Sequence, residues 1–177
     1  MRRMLAVVYF PQTNLDTVNL LREKYDANWK MIPPHITIVS PITELTQDQL
    51  VQQVEDMAIN FKPFPINLTG LTKTSDGCLF LMVEEGSKEI ITIHDGLYSG
   101  ILAPYLPTAY KFAPHITLGD FARTNEELLA EALSEAESLD LDLTCIFNAL
   151  TVIEGDGKAP AKTVKVIDLP LVDKTVV

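Results

Sequence analysis

The sequence predicts an α+β protein of two pseudo-symmetric lobes, each a mainly antiparallel β-sheet covered by helices, with a cleft between the lobes. Three observations predict this class. The chain of 177 residues has the length of one domain. One order of strand-like and helix-like segments occurs twice along it. The tetrapeptide Pro-His-Ile-Thr also occurs twice, at 34–37 and 114–117.

The first repeat, roughly residues 1–77, is predicted to contain alternating strands and helices. Short apolar runs are typical of strands, and apolar residues at every third or fourth position are typical of helices. The predicted elements are the strand Met4–Phe10, a helix capped by Asn14 with Val18, Leu21 and Tyr25 inward, the strand His35–Ser40, a helix opened by Thr46 with Leu50, Val54 and Met57 inward, and the strand Phe64–Leu71.

The second repeat, roughly residues 78–177, follows a turn at Ser75-Asp76-Gly77 and shows the same order. The predicted elements are the strand Cys78–Val83, a helix capped by Ser87 with Ile90, Ile93, Leu97 and Ile101 inward, the strand His115–Phe121, a helix begun by the capping box of Thr124 and Glu127 with Leu129, Leu133 and Ala136 inward, and the strands Leu143–Ile153 and Thr163–Leu169. A repeated order is typical of internal duplication, so we expect one bilobal domain spanning residues 1–177.

Composition and charge limit the classes of partner. The formal net charge of −10 argues against a long groove that follows a nucleic-acid backbone, although one phosphate could still bind in a local pocket. No stretch approaches the roughly 20 apolar residues that span a bilayer, so we expect no membrane segment and a cytoplasmic protein. Cys78 and Cys145 lie in strand-like apolar runs and are predicted to be buried free thiols.

The two copies of Pro-His-Ile-Thr place the same residue types on the same face of a strand. Because side chains alternate along a strand, His35 and Thr37 share one face, and His115 and Thr117 share the corresponding face of the second copy. The aliphatic residues between them supply the core. If the lobes pack about a pseudo-twofold axis, both pairs face the central cleft.

Two imidazoles and two hydroxyl groups in one cleft suit phosphoester chemistry. Imidazole titrates near neutral pH, so one histidine can accept a proton while the other donates one. Threonine hydroxyl groups can donate hydrogen bonds to the non-bridging oxygens of a phosphodiester, where negative charge accumulates in the transition state. Such a site would need no metal ion.

With these two motifs the sequence resembles the two-histidine (2H) phosphoesterase superfamily, which includes bacterial 2′-5′ RNA ligase-like proteins with two His-x-Thr-x motifs. The resemblance covers nearly the whole chain and extends to the segment "LREKYDANWKMIPPHIT", in which a Tyr-Asp pair precedes the first motif. It implies that His35 and His115 are catalytic and that Thr37 and Thr117 bind phosphate in an active-site cleft between the lobes. It also implies no metal and no organic cofactor.

The leading hypothesis is therefore a metal-independent phosphoesterase. Its partner would be a small nucleotide or an RNA end carrying a 2′,3′-cyclic or 2′-5′ phosphodiester. The alternative is a non-catalytic module that binds a nucleotide or RNA end in the same cleft. Hydrolysis and ligation both remain open, as do the identities of the acid and the base, because one pair of histidines serves either direction.

Other residues admit both a functional and a structural interpretation. His94 falls at the edge of the apolar face of a helix, where a structural or solvent-facing role is expected. The His-x-Thr pairs lack the carboxylate or thiolate neighbours typical of zinc sites. The residues left without an assigned role are the aromatic residues Tyr9, Tyr25, Trp29 and Tyr110, which could stack on a base, and the cations Arg123, Lys158 and Lys162.

Overall fold

The computed structural model describes residues 3–121 and 125–171 and has the predicted α+β architecture. Strands and helices alternate through most of the chain. The elements, in chain order, are β1 (Met4–Tyr9), α1 (Asp16–Tyr25), β2 (Ile36–Ile42), α2 (Gln47–Ala58), β3 (Phe64–Lys73), β4 (Cys78–Val83), α3 (Ser87–Leu97), a 3₁₀ helix (Gly100–Tyr105), β5 (His115–Asp120), α4 (Glu126–Ser138), β6 (Leu143–Phe147), β7 (Ala149–Gly155) and β8 (Lys162–Asp168).

All the strands described form one antiparallel sheet of eight, in the order β6-β3-β4-β5-β2-β1-β7-β8. The two sheets expected from the sequence are therefore joined edge to edge. The joint between β5 and β2 has a single pair of facing residues in register, Ile36 and Ile116. Each half contains strands from both sequence repeats, because β3 lies with β4, β5 and β6, and β7 and β8 lie with β1 and β2. The halves of the sheet thus do not follow the order of the chain.

Two of the four α-helices that the structure describes, α1 and α3, cross the joint between the two halves. Helix α1 follows β1 but packs on β5, beside α4, which packs on β3 and β4. Helix α3 follows β4 but packs on β2, beside α2, which packs on β7 and β8. Each of these two helices contacts the opposite half through a tyrosine at its C-terminal end. Tyr25 of α1 lies against β5. Tyr98, the residue after α3, accepts a hydrogen bond at its hydroxyl from Ser40 N in β2 at 3.0 Å. Because α1 and α3 each pack on a strand of the opposite half, helix packing holds the two halves of the sheet together.

The core lies between the helices and one face of the sheet. The aliphatic positions of both Pro-His-Ile-Thr copies belong to it, since Ile36, Ile38, Ile116 and Leu118 are all buried. A smaller apolar cluster centred on Val8 occupies the opposite face, away from the helices. The predicted alternation is therefore confirmed: one face of β2 and β5 packs in the core, and the other faces outward.

The predicted strand Leu143–Ile153 is wrong, because the chain breaks it at Asn148. Residues before the break form β6, which pairs with β3 at one edge of the sheet. Residues after it form β7, which lies between β1 and β8 in the other half. Apolar residues flank Asn148 on both sides, and a single polar residue within such a run does not reveal that the two segments belong to different halves.

The helix ends differ in detail from the predictions. Thr46 does begin α2 as predicted, and it forms a capping box with Gln49 that was not predicted. Asn14 and Ser87 were predicted as N-caps, but neither occupies the cap position. Leu15 is the N-cap of α1, and Asn14, one residue before it, accepts a hydrogen bond from Asp16 N. Gly86 is the N-cap of α3, and Ser87 is the first helical residue. Gly86 has a φ of 78°, a left-handed conformation that glycine adopts without steric cost.

Two further helix predictions concern α3 and α4. Ile101 was expected inward on α3, but the helix ends at Leu97 and Ile101 lies in the 3₁₀ helix, 41% exposed, while Leu102 takes the buried position. The proposed cap Thr124 lies outside the described residues. Asn125 is the N-cap of α4, and its side chain accepts a hydrogen bond from Leu128 N. None of the helices described is long and apolar enough to cross a membrane.

Candidate active site

A cleft of about 510 Å³ lies on the face of the sheet opposite the main core. Side chains from both halves line it, because β4 and β5 contribute from one side of the joint and β2, β1 and β7 from the other. Three of the four predicted site residues are among the lining residues: His35, Thr37 and Thr117. The fourth, His115, stacks on Phe80, which also lines the cleft; their ring centroids are 3.6 Å apart.

The joint between the halves determines how the two motifs meet. In the antiparallel pair of Ile36 with Ile116, the residues on either side also face each other. The register therefore places His35 across from Thr117 and Thr37 across from His115. All four side chains are half-buried and share one face of the sheet. Each histidine thus lies beside the threonine of the other motif.

Both imidazoles are held in the same tautomer. His35 Nδ1 lies 2.9 Å from the carbonyl oxygen of Pro33, and His115 Nδ1 lies 2.7 Å from that of Ala113. A carbonyl oxygen can only accept, so Nδ1 carries the hydrogen in each case. The neutral ring then has its lone pair on Nε2. A histidine in this state can accept a proton at Nε2, and its protonated form can donate one there.

Burial makes the two histidines less basic. It is the main cause that lowers the pKa of His35 to about 4. The hydrogen bond to the Pro33 carbonyl and the carboxylate of Asp26 act in the opposite direction, whereas Arg22 and His115 lower the pKa further. Burial also lowers the pKa of His115, opposed by its hydrogen bond to Ala113. The larger shift is at His35, so His35 is neutral in the unliganded cleft near pH 7.

The motif search did not identify a buried ion pair beside His35. Arg22 and Asp26 line the cleft, with Arg22 Nη2 2.8 Å from Asp26 Oδ2. A signal was available in the sequence: Arg22 occupies the position four residues after Val18 on the apolar stripe of α1, and Asp26 follows four residues later. A charged residue at such a position is rarely buried without a partner.

The motif search also missed Phe80 and Cys78 in the cleft wall. Phe80 lies opposite Thr117 in the pairing of β4 with β5. Cys78 was expected to be buried, but it is half-buried and lines the cleft, and burial raises the pKa of its thiol. Nothing in the local sequence indicates which strand lies beside β5, so only the strand pairing identifies these two residues. Cys145 is a buried free thiol, as predicted.

The other candidate residues that the structure describes are not among the residues that line the cleft. Tyr9 is buried, stacks on Phe147 and donates to the Ile146 carbonyl at 2.8 Å. The Tyr25 hydroxyl bonds Glu135 at 2.6 Å. Trp29 and Tyr110 are 36% and 62% exposed. Lys158 lies in the turn after β7 and Lys162 is the first residue of β8; both are exposed. Arg123 lies outside the described residues.

His94, the third histidine, is a buried residue of α3. Its ring stacks on Phe112 with centroids 3.8 Å apart, and its Nδ1 lies 2.9 Å from Asp95 Oδ1. His94 therefore contacts neither His35 nor His115 in these interactions, and it is not among the residues that line the cleft. Across residues 3–121 and 125–171, no group of three or more His, Cys, Asp or Glu side chains is placed to hold a metal ion.

Fold and site together define a class of protein: an α+β domain whose two sheet halves bring paired His-x-Thr motifs to one cleft. The chain belongs to the 2′-5′ RNA ligase superfamily, whose family model matches residues 10–159. The family expected from the two motifs is thereby confirmed. The match spans both motifs and the six strands from β2 to β7.

Curated relatives support this membership. A Bacillus licheniformis protein named "Putative phosphoesterase" is 30% identical over 118 residues, covering 64% of this chain and 68% of the relative. A Bacillus cereus protein of the same name is 28% identical over 144 residues, covering 77% and 74% of the two chains. The names of these relatives agree with the enzyme class expected from the sequence.

Solved structures with little sequence identity share the fold. Escherichia coli LigT, in a crystal structure with NADP⁺, has a TM-score of 0.61 at 13% identity and covers 96% of this chain and 99% of LigT. LigT crystallised with 3′-AMP gives a TM-score of 0.59, also at 13% identity, with 96% and 99% covered. The α+β fold with a continuous curved sheet is therefore that of LigT.

Proposed function

We propose that this protein is a metal-independent phosphoesterase that hydrolyses or transfers a phosphodiester of a cyclic nucleotide or an RNA end, with a 2′,3′-cyclic or 2′-5′ linkage. The observation that carries the proposal is the meeting of His35, Thr37 and Thr117 in one cleft, with His115 across the joint from Thr37. The superfamily name and the 3′-AMP and ATP complexes of LigT support a nucleotide substrate.

His35 is the proposed general base. Its pKa of about 4 keeps Nε2 unprotonated near neutral pH, which allows it to take a proton from water or from a ribose hydroxyl group. The activated oxygen forms a new bond to phosphorus. Because the substrate itself is anionic, its binding raises the pKa of both histidines and favours one protonated imidazole in the complex.

His115 is the proposed general acid. In the complex it carries the proton that the departing oxygen receives as the old phosphorus–oxygen bond breaks. The pKa of His115 is lowered less than that of His35, so the shared proton resides more readily on His115. Stacking on Phe80 fixes the plane of the ring. After one turnover His35 holds the proton, and exchange with solvent restores the starting state.

Thr37 and Thr117 are the proposed phosphate-binding residues. A hydroxyl group on each side of the joint can donate to a different non-bridging oxygen of one phosphate. These hydrogen bonds strengthen as negative charge accumulates on the oxygens in the transition state, so they stabilise that state more than the ground state. The site then needs only groups that the chain itself supplies.

The proposal is tested by incubating the purified protein with 2′,3′-cyclic nucleotides and 2′-5′ dinucleotides in excess EDTA, with products separated by chromatography. We expect one substrate class to be converted, and His35→Ala prepared in parallel to lose that conversion. Conversion that survives undiminished in His35→Ala would contradict the role proposed for His35. Binding of these compounds without any product would instead support the non-catalytic module, and loss of conversion with EDTA would contradict a metal-independent reaction.

A further inference from the structure

A buried guanidinium group lies in the wall of the cleft. The side chain of Arg22 is 3% exposed, and Arg22 lines the cleft with His35 and Thr37. It belongs to the segment before the first motif, "LREKYDANWKMIPPHIT", but the residues assigned above to the reaction do not include it. Its burial and its position in the cleft wall are independent observations.

Three hydrogen bonds fix the plane of this guanidinium. Nε and Nη2 donate to Asp26 Oδ2 at 2.9 and 2.8 Å, and Nη2 donates to the Ile32 carbonyl at 3.0 Å. Asp26 is held in turn, because its Oδ1 accepts from Asn28 N at 2.8 Å. Arg22 is therefore preorganised by the chain on both sides of the Tyr25-Asp26 pair.

The remaining nitrogen of the group, Nη1, has no hydrogen-bond partner among residues 3–121 and 125–171. Within the same residues, no fully buried side-chain nitrogen or oxygen lacks a partner. Nη1 must therefore be reached by solvent, and the opening that Arg22 lines is the cleft. Two fixed N–H donors on a charged group are thus available to a ligand there.

We propose that Arg22 is a substrate-binding residue whose Nη1 donates to a phosphoryl oxygen of the ligand in this cleft. The inference rests on the proposed function only in that the ligand carries a phosphate. Asp26 balances the charge of Arg22 and holds it in place, which makes Asp26 a positioning residue. Guanidinium suits this task because its planar donors match the geometry of phosphate oxygens.

The test is calorimetric binding of adenosine 2′-monophosphate and of inorganic phosphate, which requires no turnover. The double variant Arg22→Met/Asp26→Leu removes the ion pair and fills its volume with apolar groups, a replacement that proteins often tolerate. We expect its Kd for both probes to be about 10 to 100 times that of the unchanged protein, the usual effect of a lost charged hydrogen bond. Arg22→Lys keeps the charge but lacks Nη1, and its Kd should rise about tenfold.

Lys24→Met is the matched control. Lys24 lies on the same helix, and its Nζ bonds Glu135 at 2.7 Å, outside the cleft lining. The substitution removes one positive charge, whereas neither Arg22 variant changes the net charge, so it sets an upper limit on the long-range electrostatic effect. We expect the Kd of this variant to stay within about twofold of the unchanged protein, since charges at an exposed site are screened.

Equal weakening in Lys24→Met and in the Arg22 variants would overturn the inference, because no direct contact would then be needed. An unchanged Kd in a folded double variant would also overturn it, as would failure of both probes to bind the unchanged protein at millimolar concentration. If the double variant does not fold, an unchanged Kd in Arg22→Lys decides against the contact. Absence of turnover with every diester counts against the proposed function alone, since these probes report binding.

Discussion

The two Pro-His-Ile-Thr segments are identical in sequence, yet their surroundings differ. In the first, the buried ion pair of Arg22 and Asp26 lies beside His35. The ring of Phe10 is tilted relative to the His35 imidazole, with the two ring centroids 6.3 Å apart. In the second, burial and the hydrogen bond to Ala113 are the causes that shift the pKa of His115, and neither is a charged group. The ring of Phe80 stacks on the His115 imidazole. The comparison teaches that neighbours from other elements, and not the motif, distinguish the two histidines.

The residues after each motif differ for a packing reason. The fifth position counted from the histidine is Val39 in the first copy and Gly119 in the second. A Cβ at Gly119 would meet the ring of Phe121 at 2.8 Å and Tyr25 Cβ at 3.1 Å. Helix α1 therefore approaches the second strand closely enough to require glycine, whereas the first strand accommodates valine.

The largest expected effect comes from removing either histidine. If His35 and His115 act as one acid–base unit, His35→Ala and His115→Ala should each lower kcat by about 10² to 10⁴, the usual contribution of general acid–base catalysis. The double variant should be scarcely slower than either single one, because residues acting as a unit are not additive. Steady-state kinetics checks this, with melting temperatures to confirm folding. Full activity in one single variant would show that the two motifs are not partners.

A smaller loss is expected from the threonines. Thr37→Val and Thr117→Val should each lower kcat by about 10², in the range for one lost donor to a developing oxyanion. Thr163→Val, at an exposed strand position in β8, is the matched control and should leave kcat unchanged. A loss in only one of the two motif variants would show that a single threonine contacts the phosphate.

The pH dependence tests whether the roles of the histidines are assigned correctly. The proposed active form has His35 neutral and His115 protonated, and both pKa values lie below their usual range. The kcat/KM of the unliganded enzyme should therefore peak on the acid side of neutral pH, with limbs of up to about tenfold per pH unit. The kcat profile should lie at higher pH, because the bound phosphate raises both values.

Single variants separate the two limbs of this profile. The residual activity of His35→Asn should lack the acid limb, and that of His115→Asn should lack the basic limb. The reverse assignment of the limbs would mean that the roles of acid and base are exchanged. A rate that rises steadily with pH and disappears on chelation would instead indicate a metal-bound hydroxide. Apparent values belong to the pair when two sites interact, so both variants are needed.

The smallest expected effect concerns stability in acid. The folded protein binds fewer protons at His35 than the unfolded chain does between about pH 6.5 and pH 4, since the pKa of His35 falls to about 4 on folding. The free energy of unfolding should therefore decrease as pH falls through this window, by roughly 1 to 2 kcal/mol at pH 5 for this residue. Urea unfolding at pH 7 and pH 5 should show a smaller decrease in His35→Gln, and a decrease unchanged from the original protein would contradict the shifted pKa.

Much of the fold is readable from local pattern. The amphipathic periods of α1 and α2, the capping box at Thr46 and the alternation in β2 and β5 are all present in the sequence. The break at Asn148 is not, because one polar residue between two apolar runs can also lie within a single strand, and only pairing with β3 and β1 distinguishes β6 from β7. Local propensity cannot specify which distant strand lies alongside.

The candidate site divides in the same way. Each His-x-Thr pair is visible because its residues are neighbours in one strand. Phe80 and the register that sets His35 across from Thr117 depend on contacts between strands far apart in the chain. Arg22 is intermediate: its place on an apolar helix face was a local signal, but its position in the cleft wall depends on how α1 crosses to β5.

The position of β7 beside β1 has a consequence for synthesis on the ribosome. Val8 in β1 pairs with Thr151 in β7, so one flank of β1 stays without its partner until β2 to β7 have all been translated. Such long-range pairing slows folding, and an unpaired apolar edge is prone to association with other chains. A nascent chain that has already formed β2 still lacks one wall of the cleft. Strand β1 thus has one neighbour, β2, early in translation and gains the other, β7, only after β3 to β6 have been made.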